Sequence, residues 1–300
     1  MEQNMQQTLP PSGESTVSSD LLLNVVRRQL KRHHLIPALR VLRLLLHFGP
    51  WRAIPRFLIR QLRPVARIQD DEQASLLGPL DVNAIAEEVR QNSVAVAGML
   101  SPEAVSRLRA ITDRLPVNDY QRMDQIDLDV HELSNDPTIK NVLRAYFKCE
   151  PALLECTLVI TGPYETHGIS QQNAFHFDYA GWESLNVFVY LSDVKAGSSC
   201  HIVAKGSHRK VGLRDVLCGS LNDADAVRRF GSHIQPITGS AGTVFFENTE
   251  AFHRRHPGND RRVMLNLLYG SHRSWLSLGR TSRAHIEKRL REYDRLRMLD

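Results

Sequence analysis

The chain has 300 residues, 42% hydrophobic and 24% charged, which is enough for one full core with appendages. Its four cysteines, Cys149, Cys156, Cys200 and Cys218, form no CxxC pair and no dense framework, which argues against a structural zinc site and against a disulfide-stapled secreted domain. The net charge of +5 hides a split, because residues 21–69 carry eleven Lys or Arg and no acid, leaving 27 bases against 33 acids elsewhere.

Residues 1–19 are rich in Gln, Ser, Pro and Glu and too poor in apolar residues to bury a core, so they are expected to form a disordered tail. They lack the basic start and apolar stretch of a signal peptide, and no apolar run has the length of a membrane span, so a cytoplasmic protein is expected. Residues 20–69 mix apolar and basic residues at helical spacing, with Pro37, Pro50 and Pro55 expected to break them into two or three short amphipathic helices. Basic helices bearing Trp, Phe and Leu suit peripheral contact with an anionic membrane, and the alternative is that they pad the main domain. Nucleic acid is not an expected partner, since no base-reading motif is present and the rest of the chain is acidic.

Residues 70–300 are expected to form the main domain with a closing helix. Val82, Ile85, Ala86 and Val89 share a helical face, "SVAVAGML" reads as a strand, and "SPEAVSRLRAITDRL" resumes helical spacing. Ser101 is the expected N-cap of that last helix, with Pro102 at its first position. After a helix at "PTIKNVLRAYF" the chain turns to short β-rich runs: "ALLECTLVITG", "NAFHFDYAG", "SLNVFVYLSDV", "CHIVAKGSH", "HIQPITG", "AGTVFFEN" and "RRVMLNLLYG". The segment "SRAHIEKRLREYDRLRML" reads as a final helix. Together these predict an α+β chain built on a sandwich or jelly roll, with helices at both ends.

In an extended strand His176 and Asp178 point to one face, where a single cation could take both. HxD alone is a weak signal. A second histidine, His253, follows "AGTVFFEN" and would complete a two-histidine, one-carboxylate facial triad of the kind that holds non-haem Fe(II), with His256 as a competing choice that reads better as a solvated loop residue.

Over residues 82–270 the sequence resembles the phytanoyl-CoA dioxygenase-like branch of the Fe(II)- and 2-oxoglutarate-dependent oxygenases. The motifs that carry the resemblance are, in order, "SVAVAGMLSPEAVSRL", "FHFD", "VFVYLSDV", "GSSCHIVAKGSH", "ITGSAGTVFFENTEAFHRR" and "RRVMLNLLY". The resemblance implies a double-stranded β-helix, with His176, Asp178 and His253 as iron ligands and Fe(II), 2-oxoglutarate and O2 as the reacting set. It also implies an arginine after the distal histidine for the far carboxylate of 2-oxoglutarate, where a planar guanidinium binds bidentately. Of the adjacent Arg261 and Arg262 only one can face inward; Arg262 is chosen, with Arg261 in solvent or on an outer acid.

Asn173, Asn186 and Tyr190 lie near enough in sequence to the ligand strand to be candidates for touching 2-oxoglutarate or substrate, or else to serve the strands themselves. His208 in "KGSH" is read as structural, and His201 either lines the pocket or is satisfied within its strand. The family usually has Gly-Pro where this chain has Ser198 and Ser199, which puts the shape of that loop in question. Asp178 favours hydroxylation over halogenation, because related halogenases lack the carboxylate. The basic segment and the overall layout point to an anionic, lipid-linked or small-molecule substrate, and a Kdo 3-hydroxylase acting on lipopolysaccharide precursors is the concrete candidate. The rival reading from another class is a non-enzymatic β-helix module that binds a metal, a ligand or a membrane. A zinc hydrolase is a third reading, without an HExxH helix to support it.

Overall fold

The computed structural model describes residues 42, 45–65, 75–112, 120–122, 128–162, 173–258 and 260–273. The expected tail at 1–19, most of the basic segment before residue 45 and the closing helix at 282–299 lie outside the described residues. The chain divides into two units, and the elements below all belong to the one spanning Leu44–Arg280.

A 3-10 turn, Pro50–Arg52, leads into α1, Ala53–Leu62. Pro55 does not break this helix as its sequence suggested. It sits in the first turn, where a missing N–H removes no intrahelical bond. Next come α2 (Val82–Asn92), β1 (Val94–Met99), α3 (Pro102–Thr112), β2 (Tyr120–Arg122), α4 (Leu128–Ser134), α5 (Pro137–Phe147) and β3 (Ala152–Thr161). The expected helix, strand, helix order around residues 82–112 is present, and Ser101 Oγ accepts the Ala104 N–H as its cap.

The second half holds β4 (Phe175–His176), β5 (Ser184–Tyr190), β6 (His201–Ala204), α6 (Leu213–Cys218), β7 (Ser220–Leu221), α7 (Asp223–Phe230), β8 (Ile234–Ile237), β9 (Thr243–Glu247), β10 (His253–Arg255) and β11 (Arg262–Gly270). The short elements α6, β7, α7 and β10 were not legible in the sequence pattern.

Two antiparallel sheets result, one of order β1-β9-β5-β11-β3-β2 and one of order β7-β4-β10-β6-β8. The long strands of the first sheet are buried on both faces. Val187, Val189, Phe246, Leu265 and Leu267 pack with Val89, Leu108, Ile139 and Leu143 of the helices, whereas Phe188, Tyr190, Phe245 and Met264 join the core of the second sheet with Phe175, Ile202 and Ile237. Burial on both faces makes β5 and β11 read as nearly continuous apolar runs.

Helix α1 is fixed to this framework by its basic face. Arg52, the last residue of the preceding turn, and Arg56 and Arg60 of the helix are spaced by four and lie on one side. Arg52 pairs with the buried Glu250 and donates to the Trp182 carbonyl, Arg56 donates to that same carbonyl at 2.8 Å, and Arg60 reaches Glu183 and the Phe147 carbonyl. Three of the eleven basic residues of segment 21–69 therefore neutralise and cap the acidic main domain. His47, also buried, lays its ring against Trp182 at 4.9 Å.

Removing one partner of a buried pair leaves the other charge uncompensated. Arg52→Ala is expected to lose roughly 3 kcal/mol of stability. Arg107→Ala, which breaks an exposed pair with Asp129, should lose under about 1 kcal/mol. Urea unfolding midpoints of the two variants measure the difference, and equal losses would mean that Arg52 does not clamp α1.

Candidate metal centre

The centre is assembled across two short strands of the second sheet. In the β4–β10 pair His176 lies directly opposite His253, so their side chains leave the sheet on the same face with ring centroids 4.4 Å apart. Asp178 lies beyond the end of β4, because the extended strand expected through residue 181 stops at His176. Its backbone N–H donates to the Thr249 carbonyl at 2.7 Å, and this bond ties the carboxylate to the loop that leads into His253. One ligand atom from each of His176, Asp178 and His253 falls within 4.8 Å of the others.

The histidines are oriented for a metal. Nδ1 of His176 lies 2.9 Å from the Ala174 carbonyl, and Nδ1 of His253 lies 3.0 Å from the Ala251 carbonyl. A carbonyl can only accept, so both Nδ1 atoms carry protons and both Nε2 atoms are left for a cation. This is the usual way in which ligating histidines are fixed in tautomer and ring orientation. Nε2 of His253 stands 3.6 Å from Oδ2 of Asp178, whose side chain is half exposed. Two imidazole nitrogens and a carboxylate at one corner suit non-haem Fe(II) and leave further positions open.

Burial and the neighbouring His253 lower the pKa of His176 to about 4, with Asp178 opposing. Burial also disfavours charge on His253. The Asp178 carboxylate beside it and the nearby Glu247 carboxylate outweigh that effect, and the pKa rises to about 9. Without metal, near neutral pH His176 is therefore neutral while His253 carries a second ring proton, at Nε2.

Behind the triad lies a pair that the sequence reading missed. Glu247, the last residue of β9, is fully buried, and its Oε2 is 2.7 Å from Nε2 of His201. His201 stacks on His253 at 5.2 Å and lies against Phe188. An acid directly after "VFF" on a buried strand was the available signal, since alternation puts Glu247 on the same face as Phe245. His201 thus stands between the buried Glu247 carboxylate and the His253 ring.

The two candidate arginines differ in burial. Arg261 is exposed and donates to the Thr112 carbonyl. Arg262 is buried, shares the inner face of β11 with Met264, and lies close enough to Tyr190 and His201 for its charge to act on both. A further buried guanidinium, Arg255, lies two residues after His253 and is held by Oδ1 of Asn173 at 3.1 Å.

The remaining candidates have bonds within the fold. The Asn186 amide donates to Asn266 and accepts from Thr249 Oγ1, so it braces the loop that holds Asp178. The Tyr190 hydroxyl donates to the Ile237 carbonyl on the facing sheet. His208 bonds the Arg90 carbonyl away from the triad, and His256 is not part of the cluster. Ser198 and Ser199 have a visible purpose. Their hydroxyls bond Asp260 and the Gly258 N–H, anchoring the connection between His253 and Arg262. A Cβ at Gly258 would come within 2.1 Å of the Ser199 nitrogen, so the close approach requires glycine.

No protein-family model matches the chain, and no curated protein does. Solved structures do. HygX from Streptomyces hygroscopicus, with nickel and 2-oxoglutarate bound, aligns with a TM-score of 0.50 and 14% identity over 62% of this chain and 86% of its own. SnoN, a non-heme alpha-ketoglutarate-dependent epimerase from nogalamycin biosynthesis, aligns with a TM-score of 0.50 and 15% identity over 67% of this chain and 91% of its own. The chain shares its fold with both, and the jelly roll expected from the sequence is the fold observed.

A metal can bind His253 only after displacing its proton. At pH 7 uptake of Fe(II) should therefore release about one proton, and affinity should rise with pH until about 9. Anaerobic calorimetric titrations in two buffers of different ionisation enthalpy count the protons. A count of zero would mean that His253 is neutral before the metal arrives.

Proposed function

We propose that the protein is an Fe(II)- and 2-oxoglutarate-dependent dioxygenase that hydroxylates an unactivated C–H bond. The observation that carries this reading is the convergence of His176, Asp178 and His253 in a jelly roll whose inner face also presents the buried Arg262. With iron and 2-oxoglutarate bound, such a site supplies oxidative decarboxylation of 2-oxoglutarate to succinate and CO2, coupled to insertion of one oxygen atom of O2 into a substrate C–H bond.

The chain's own residues have separable parts in this. His176 and His253 offer Nε2 atoms whose direction is fixed by carbonyls at Nδ1, and Asp178 contributes the anionic ligand. Arg262 is the partner for the far carboxylate of 2-oxoglutarate, for which a guanidinium fork is suited. The buried Phe188, Phe245 and Tyr190 give this face a low-dielectric setting, which strengthens that ion pair. Asn173 and Asn186, the other proposed contacts to the cosubstrate, act through the groups they brace, Arg255 and the Thr249 loop.

For the substrate we propose a small or lipid-linked molecule with an anionic group, and the Kdo sugar of a lipopolysaccharide precursor is the first to test. Arg255 and Arg262 favour anions in the chamber, and the acid-free segment 21–69 favours an anionic surface outside it. The protein would then work in the cytoplasm, against the inner leaflet. Among the described residues no helix is long and apolar enough to cross a membrane, in keeping with peripheral contact.

Anaerobic addition of Fe(II) and 2-oxoglutarate should give the weak visible charge-transfer band of the chelate in the parent protein and none in Asp178→Ala. No band in the folded parent would instead indicate a non-enzymatic binding module. Separately, Arg262→Ala should raise the 2-oxoglutarate concentration needed for half-saturation by about a hundredfold, as expected for loss of a charged bidentate contact worth ~3 kcal/mol. Arg261→Ala should change it little. The opposite order in a titration of the band would move the cosubstrate anchor to Arg261.

A further inference from the structure

Helix α1 is inverted relative to an ordinary surface helix. Its arginines face the domain and its apolar side faces out. Trp51, Ile54, Phe57, Leu58 and Leu62 are 47%, 66%, 60%, 51% and 81% exposed, and no residue of the helix is buried. A contiguous apolar strip of this kind on a protein surface marks a protein or membrane contact.

We propose that this strip is the docking surface for an anionic lipid bilayer, and that docking carries the metal centre to the lipid surface. The link to a lipid-linked substrate rests on the function proposed above; the docking itself does not.

Charge selects the occupant. Arg52, Arg56 and Arg60 are engaged inward, but eight other Lys or Arg residues of segment 21–69 flank the strip in sequence on both sides, with no acid among them. A second copy of the chain, docked about a two-fold axis, would bring two such basic sets together. An anionic bilayer offers the opposite charge along the whole strip. Trp51 suits an interface further: its indole Nε1 donates to the Leu46 carbonyl at 2.8 Å, which holds the exposed ring at the start of the helix.

The link to the metal centre is Arg52. Its guanidinium lies 5.2 Å over the ring of Tyr179, next to the ligand Asp178, and it pairs with Glu250, three residues before the ligand His253. One helix therefore separates the strip from both ligand-bearing segments, a thickness of roughly 10–12 Å with side chains. That is a suitable depth for a substrate whose head stands in the aqueous layer while its tail stays in the bilayer.

The test is flotation of the full chain with phosphatidylglycerol–phosphatidylcholine vesicles and with pure phosphatidylcholine vesicles, for the parent and for Phe57→Ser/Leu58→Ser. The parent should float with the anionic vesicles, less so as salt is raised. The double variant should lose at least about tenfold in binding, with its urea midpoint and its Fe(II)–2-oxoglutarate band unchanged. Undiminished binding by the double variant would overturn the proposal. So would a parent that ignores vesicles and sediments as a dimer that the double variant cannot form. Vesicle binding by a parent without the charge-transfer band would leave docking standing and remove the oxygenase reading, and a band without vesicle binding would do the reverse.

Discussion

The candidate centre depends on one backbone register, in which His253 of β10 lies opposite His176 of β4. Cross-strand neighbours on the same face bring their side chains within a few ångströms, so this pairing alone sets two imidazoles side by side. Strands of two and three residues cannot hold a register by themselves. It is held from outside, by β6 on the far edge of β10, by the Asp178 N–H on the Thr249 carbonyl, and by Asn186 on the Thr249 hydroxyl. A slip of one residue would turn His253 to the opposite face and put Arg254 in its place.

The electrostatics are organised around the same loops. Glu250, three residues before His253, and Glu183, just past the segment that carries Asp178, are both buried. Burial raises the pKa of Glu183, with Arg56 and Arg60 opposing. The cations that answer these acids come mainly from α1. A helix that looks like an N-terminal appendage in the sequence thus balances the charge of the loops that carry the candidate ligands. Arg52, Arg56 and Arg60, three of the eleven basic residues of segment 21–69, thereby have a structural use.

The parts legible in the sequence were those in which local pattern and tertiary role agree. Ser101 and Pro102 marked a helix start because capping is local, and β5 and β11 were visible because burial on both faces leaves a continuous apolar run. Strand alternation allowed only one of Arg261 and Arg262 to face inward, and the family spacing from His253 chose Arg262. Parity also pointed to His176 and Asp178, although the strand ends between them and a backbone bond to Thr249 supplies the geometry instead. What stayed hidden was decided at a distance. Nothing near Asn186 announces that Asn266 and Thr249 occupy its amide. The serines at 198 and 199 look like a departure until the connection carrying Gly258 is seen lying on them. The direction of α1 was hidden for the same reason, since an amphipathic pattern states that two faces differ but not which one meets the protein.

That ambiguity has a physical resolution here. Burying the apolar face of α1 would have left Glu183 and Glu250 without cations in a low-dielectric setting, a cost of several kcal/mol for each uncompensated charge. Exposing a strip of apolar side chains costs roughly 25 cal/mol for each Å² left in water. With carboxylates already buried beside the loops of the candidate centre, the arginine face is the more favourable one to turn inward. The exposed apolar strip is therefore a consequence of how the centre is neutralised, and it remains a cost to the isolated chain until something apolar covers it.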